Sequence, residues 1–292
     1  MNFGEVLTAM VTPFNEDKTI NYEEAKRLAQ HLVDNGSDGL VILGTTGEVP
    51  TLDIKEKEKL LKVVQDKVGG QAKIIAGTGC NSTAKSIEIT KKAEQIGVDG
   101  AMLVTPYYNK PPQRALDNHF RMVAQETSLP IMLYNVPSRT GRNLAPKTVA
   151  KLAEVDNIVA VKEASGEVSQ AAKINTLTDK SFSIYSGEDC LTLPILSVGG
   201  TGVVSVASHL VGEEIKEMVQ AYKKGNVKLA EKKNNQLSEV FNAMFISTNP
   251  IPVKAALNLT GYEVGPVRPP LLDLEDKLKA ELKEILQKKS LL

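Results

Sequence analysis

The feature that most restricts the fold of this chain is an alternation: a short apolar run closes on small or polar residues, and a stretch with helical periodicity follows. Residues 6–11 lead into Thr12-Pro13-Phe14, and 22–35 then carry Ala25, Leu28, Ala29 and Leu32 at helical spacing. Residues 39–43 lead into Gly44-Thr45-Thr46-Gly47-Glu48, ahead of an amphipathic helix over 54–68 with Asp53 as its N-cap. Runs at 73–76, 100–104, 130–134, 158–161, 183–186 and 202–206 continue the beat, with helices expected over 82–96, 112–126, 146–154, 168–177 and 191–197. Eight strands separated by helices predict an α/β fold, a (β/α)8 TIM barrel. Right-handed crossovers stack the strands in parallel, and eight of them close the sheet. An open doubly wound sheet is the alternative. Beyond Val211 the pattern is purely helical, over 213–224, 227–245, 251–259 and 274–288, interrupted by Gly225 and the proline-bearing stretch 266–270. This predicts a barrel over 1–225 and a C-terminal helical appendage over 226–292.

Charge narrows the function. The 292 residues hold 35 basic and 35 acidic side chains, so there is no electrostatic footprint for nucleic acid or an anionic membrane. No apolar run is long enough to span a bilayer and residues 1–5 carry no basic leader, so a cytoplasmic protein is expected. Cys80 and Cys190 form no disulfide framework, and His31, His119 and His209 lack ligand spacing, so no metal site is expected.

The sixth run ends on a lysine. Along a strand side chains alternate, so Ile158, Ala160 and Lys162 share one face and Val159 and Val161 the other. On an inward face at the barrel rim Lys162 is partly desolvated, which favours the neutral amine, a nucleophile toward carbonyls. The same parity turns Met132 and Tyr134 inward on the fifth strand, where a phenol beside the amine can shuttle protons. In such barrels chemistry sits at the carboxyl ends of the strands, which makes neighbours of residues far apart in sequence. Gly44-Thr45-Thr46-Gly47 offers successive backbone N–H groups and two hydroxyls to a carboxylate or phosphate. Gly187 can let backbone approach a ligand or simply make a turn, and Arg139 can clamp a carboxylate in bidentate fashion. Tyr107 and Tyr108 are loop aromatics of the kind that mark an interface. Gly199-Gly200-Thr201-Gly202 precedes a strand and opens no helix, so it reads as a tight turn, not a nucleotide loop.

Together, Gly44-Thr45-Thr46-Gly47-Glu48, Thr105-Pro106-Tyr107-Tyr108, Tyr134-Asn135-Val136-Pro137 and Val161-Lys162-Glu163 closely resemble the pyruvate-dependent class I aldolase and lyase family, and the likeness runs over essentially the whole chain. The resemblance implies that Lys162 forms a Schiff base with pyruvate and that Tyr134 is proton donor and acceptor. It implies a proton relay completed by Thr45 and by Tyr108 from a neighbouring subunit, in a homotetramer built as a dimer of dimers. Thr46 with Thr45 would hold the pyruvate carboxylate, Val204 would contact pyruvate through its backbone, and Gly187 would line the pocket. The protein supplies its own electron sink, so no metal or organic cofactor is implied.

Within the family, Arg139 in Ser138-Arg139-Thr140-Gly141 resembles the carboxylate clamp of members that condense pyruvate with aspartate 4-semialdehyde to 4-hydroxy-tetrahydrodipicolinate, the entry to the diaminopimelate and lysine branch. Other members cleave N-acetylneuraminate or 2-keto-3-deoxygluconate, and these activities are the alternatives. A non-catalytic barrel binding a phosphorylated ligand is the alternative outside the family's chemistry. Lysine-inhibited members carry histidine and glutamate at an interface pocket whose counterparts here are Ile54, Lys57 and Lys85, beside Asn81 and Tyr107. Two cations there would repel the ammonium groups of lysine, so weak or absent feedback inhibition is expected.

Overall fold

The computed structural model describes residues 2–292. Among them, eight parallel strands pair in chain order and the last closes on the first. The first half runs β1 (Val6–Ala9), α1 (Tyr22–Asp34), β2 (Gly39–Ile42), α2 (Ile54–Val68), β3 (Lys73–Gly77), α3 (Thr83–Ile96), β4 (Gly100–Val104) and α4 (Gln113–Ala124). The second half runs β5 (Ile131–Asn135), α5 (Pro137–Thr140), α6 (Pro146–Leu152), β6 (Ile158–Glu163), α7 (Val168–Leu177), β7 (Ser183–Ser186), α8 (Thr192–Ser197), β8 (Gly202–Ser205) and α9 (Ser208–Lys223). Three further helices, α10 (Val227–Ala243), α11 (Ile251–Leu259) and α12 (Asp276–Lys288), complete the chain.

Local chemistry sets the helix starts. Asp53 and Glu56 form a reciprocal capping box at α2, Asn21 accepts from Glu24 N at α1, and Ser82 accepts from Lys85 N at α3. Each strand is buried on both faces, and alternation sorts its side chains into two cores. Leu7, Val41, Ile75, Met102, Met132, Ala160 and Val204 fill the barrel interior, while Val6, Leu40, Ile74, Leu103, Leu133, Val161 and Val203 face the helices. The amino end of the barrel is plugged. Phe3 is buried there, and its amide donates to the Tyr185 hydroxyl at 3.2 Å.

The closed barrel expected from the alternation is what forms, with three local differences. A one-turn helix, α5, follows β5 and carries Arg139; four residues are too few for a periodic signal. α9 begins at Ser208 rather than near 213, with a kink at Val211 (φ −132°, ψ 39°) that interrupts the helical pattern where the sequence left a gap. β1 ends at Ala9, two residues before its apolar run does. The helices from α10 onward share one continuous apolar cluster with the outer face of the barrel, from Val6 to Leu286. Among the described residues no helix is long and apolar enough to cross a membrane, and no three His, Cys, Asp or Glu side chains are grouped as metal ligands.

Candidate active site

The parallel register sets Lys162 of β6 directly beside Tyr134 of β5 on one side and Tyr185 of β7 on the other. All three point into the barrel, Tyr185 deep and Lys162 with Tyr134 at the mouth. Lys162 is 6% exposed, and its Nζ lies 4.4 Å from the centre of the Tyr134 ring. Among the described residues no carboxylate forms a salt bridge with it. Burial pushes the Lys162 amine down to about 8; the Asp189 carboxylate works against this and the Arg139 guanidinium adds to it. Roughly a tenth of the amine is then neutral at pH 7, against well under a thousandth for an exposed lysine. Gly187 packs where any side chain would collide: a Cβ there would come within 2.5 Å of Ala164 Cβ and 3.2 Å of Lys162 Cε.

Tyr134 is 6% exposed, and burial raises its phenol above the usual range, opposed by Arg139 and by the Thr45 side chain beside it. The turn carrying Thr45 folds on itself. Gly47 N donates to Gly44 O at 3.1 Å and Glu48 N to Thr45 O at 3.0 Å, so the run of free amides expected from the sequence is shorter than four. Among the described residues no backbone acceptor engages the amides of Thr45 and Thr46. Thr46 is buried, and its Oγ1 accepts from Asn249 Nδ2 at 3.0 Å. Arg139 leans across from α5, donating through Nη2 to Asn249 O at 3.3 Å.

These side chains surround a cavity of about 630 Å³ at the carboxyl ends of the strands. Of the residues singled out from sequence, Lys162, Tyr134, Thr45, Thr46, Arg139 and Gly187 line it. Val204 lies beneath, 1% exposed in the barrel interior. Tyr108 stands apart from the cavity, 90% exposed on left-handed backbone (φ 72°). An adjoining cavity of about 250 Å³ shares Thr45 and Arg139 and is lined by Lys57 and Tyr107; Ile54, Asn81 and Lys85 lie outside its lining. Burial pushes the Lys57 amine below its ordinary value, with the Lys85 charge contributing.

The sequence reading did not single out Asp189 and Asn249. Asp189 is 2% exposed; its Oδ2 accepts from Val206 N (3.1 Å) and Ala207 N (3.0 Å), and its Oδ1 has no hydrogen-bond partner among the described residues. Burial drives its carboxyl upward, and the nearby Lys162 charge opposes that. Its position closing the seventh apolar run was a usable signal. Asn249 had none, because it comes from the connection between α10 and α11. Phe241 and Phe245, which roof the cavity, read from sequence as ordinary helix packing.

An enclosed amine with a depressed pKa, a phenol in van der Waals reach and a turn with free amides bring together groups able to attack a carbonyl and bind an anion. The model of the dihydrodipicolinate synthetase family matches residues 2–289. The chain is 55% identical over 292 residues to 4-hydroxy-tetrahydrodipicolinate synthase from Cyanothece sp. (strain PCC 7425 / ATCC 29141), covering 100% of this chain and 99% of that protein. It is similar to the crystal structure of DHDPS from Cyanidioschyzon merolae with lysine bound, at a TM-score of 0.98 and 47% identity over 99% of each chain. It also matches the chloride-inhibited dihydrodipicolinate synthase from Acinetobacter baumannii complexed with pyruvate, at a TM-score of 0.97 and 34% identity over 100% of each chain. The chain therefore belongs to the dihydrodipicolinate synthetase family.

Proposed function

We propose that this chain condenses pyruvate with L-aspartate 4-semialdehyde to give 4-hydroxy-tetrahydrodipicolinate, through a Schiff base on Lys162. The observation that carries the reading is the Lys162 amine: buried, without a carboxylate salt bridge among the described residues, held at about 8 and set 4.4 Å from the centre of the Tyr134 ring. Neutral Nζ attacks the keto carbon of pyruvate, and loss of water leaves an iminium. The iminium acidifies the pyruvate methyl group; removal of one proton gives an enamine, whose methylene carbon attacks the semialdehyde carbonyl. The substrate's amine then displaces Lys162 and closes the ring. One water is released for each pair of substrates joined.

The remaining residues divide the work. Thr45 and Thr46, with free amides and hydroxyls at the rim, hold the pyruvate carboxylate. Tyr134, kept protonated by burial, delivers and accepts protons at the reacting carbons and oxygens. Arg139 clamps the carboxylate of the semialdehyde, Gly187 keeps space clear beside the lysine, and Val204 contacts pyruvate through its backbone. Tyr108, exposed on a protruding loop, reaches the mouth of a neighbouring subunit in a homotetramer built as a dimer of dimers and completes the relay there. Lys57 lines the adjoining cavity, so lysine binds there weakly or not at all and does not restrain the enzyme.

Assays of the purified protein test the substrate choice. Turnover is expected with pyruvate plus aspartate 4-semialdehyde and not with N-acetylneuraminate or 2-keto-3-deoxygluconate. Preferential cleavage of either sugar acid would overturn it.

A further inference from the structure

The Thr45-Thr46 turn is gripped from chain segments that lie far away in sequence. Glu48, the residue closing the turn, is 3% exposed and adopts a left-handed conformation (φ 54°) that a non-glycine residue keeps only when its surroundings hold it. What holds it is a buried cation. Lys254 of α11 is 2% exposed and donates through Nζ to Glu48 Oε1 (3.1 Å), Thr12 O (3.1 Å) and Pro266 O (2.6 Å). The other carboxylate oxygen, Glu48 Oε2, accepts from Arg268 N at 2.8 Å. Both cations lie over the Phe14 ring, its centre 4.2 Å from Lys254 Nζ and 4.4 Å from Arg268 Cζ. One residue before Glu48, Gly47 O accepts from Thr12 Oγ1 at 2.6 Å. The turn is thus tied at Thr46, Gly47 and Glu48, and the partners of Glu48 stand 206 and 220 positions later in the chain.

A buried ion pair is an expensive way to fill space. Apolar residues of the same volume would often stabilise the fold as well or better, because the desolvation of two charges offsets their attraction. What an apolar pair would not supply is direction: Lys254 has three acceptors in fixed places, and Glu48 has both oxygens engaged. The residue so oriented adjoins the two threonines at the rim of the Lys162 cavity.

We propose that Glu48 and Lys254 are positioning residues for the reaction, locking the Thr45-Thr46 turn in the geometry that receives the pyruvate carboxylate. The C-terminal helices are on this account part of the site, acting through the turn and not by touching substrate. The inference rests on the assignment of that turn to pyruvate given under Proposed function.

The test compares Lys254→Met, Glu48→Gln and the conservative Lys254→Arg with the parent protein, each characterised by steady-state kinetics and by the yield of borohydride-trapped pyruvate adduct at saturating pyruvate. Breaking the Lys254–Glu48 ion pair is expected to raise the pyruvate KM about tenfold in Glu48→Gln, and at least as much in Lys254→Met, which also gives up the bonds to Thr12 O and Pro266 O. Full adduct yield and an unchanged semialdehyde KM should accompany it. The double variant should be no worse than the worse single one, and Lys254→Arg should recover part of the loss. A lower adduct yield at an unchanged pyruvate KM, or equal rises in both KM values, would overturn the proposal in favour of a purely structural pair. Should Lys254→Met fail to fold, isosteric Glu48→Gln decides alone by the same criteria. If the parent protein traps no pyruvate, the reading of the site fails, which is a different result from any of these.

Discussion

Lys162 and Tyr134 are register partners on adjacent parallel strands, and the lysine nitrogen sits 4.4 Å from the phenol's ring centre with both side chains nearly excluded from water. Pairing and exclusion have a common origin. Both side chains share the inward parity of neighbouring strands, so the closure of the sheet that buries one also buries the other.

That burial predicts the pH dependence. Only the neutral amine attacks, and it titrates at about 8, so kcat/KM for pyruvate should rise about tenfold per unit of pH below that value and level off above it. Burial keeps the Tyr134 phenol protonated beyond its ordinary range, so no falling limb from it should interrupt the plateau near pH 9. A rate still climbing to pH 10 would mean that the lysine is solvated as in an unfolded chain.

Gly187→Ala tests how tightly the lysine is confined. The added methyl would press on Ala164 Cβ and Lys162 Cε, so the amine must shift. Adduct formation should slow about a hundredfold for a displacement on the order of 1 Å. Overpacking should cost about 1–3 kcal/mol of stability, read from chemical denaturation. An unaltered rate would show that the lysine has room to spare.

Arg139→Ala separates the two substrates. Removing the clamp should raise the semialdehyde KM about tenfold or more while leaving the yield of trapped pyruvate intact. Because the guanidinium helps to depress the Lys162 amine, the midpoint of the pH profile should also move upward. A rise confined to the pyruvate KM would place Arg139 on the wrong substrate.

Lysine should have little effect on this enzyme. Lys57 lines the cavity that adjoins the site, and its amine is half-buried, so the ammonium groups of lysine meet a like charge there. Titration calorimetry and initial rates in millimolar lysine should show neither saturable heat nor suppression. Inhibition at submillimolar lysine would contradict this.

Much of the site was legible because strand parity and strand ends are written in short apolar runs. The alternation over 158–162 was enough to turn Lys162 inward, and the same rule placed Tyr134 beside it. Thr45, Thr46 and Gly187 were found by standing just past strand ends. Arg139 was found by the same rule, although the short helix that carries it was not. Asn249, Phe241 and Phe245 were out of reach, since they belong to helical sequence whose periodicity says only that one face is buried, not which cavity it covers. The hold of Lys254 on Glu48 was hidden for a related reason: a lysine in a helix reads as solvated until the fold shows it among three acceptors.

The most direct measurement is intact-protein and peptide mass spectrometry after sodium borohydride reduction in the presence of pyruvate. One reduced pyruvate adduct per chain is expected, located on Lys162 and absent from Lys162→Met. No adduct, or an adduct on another lysine with Lys162 unmodified, would contradict it.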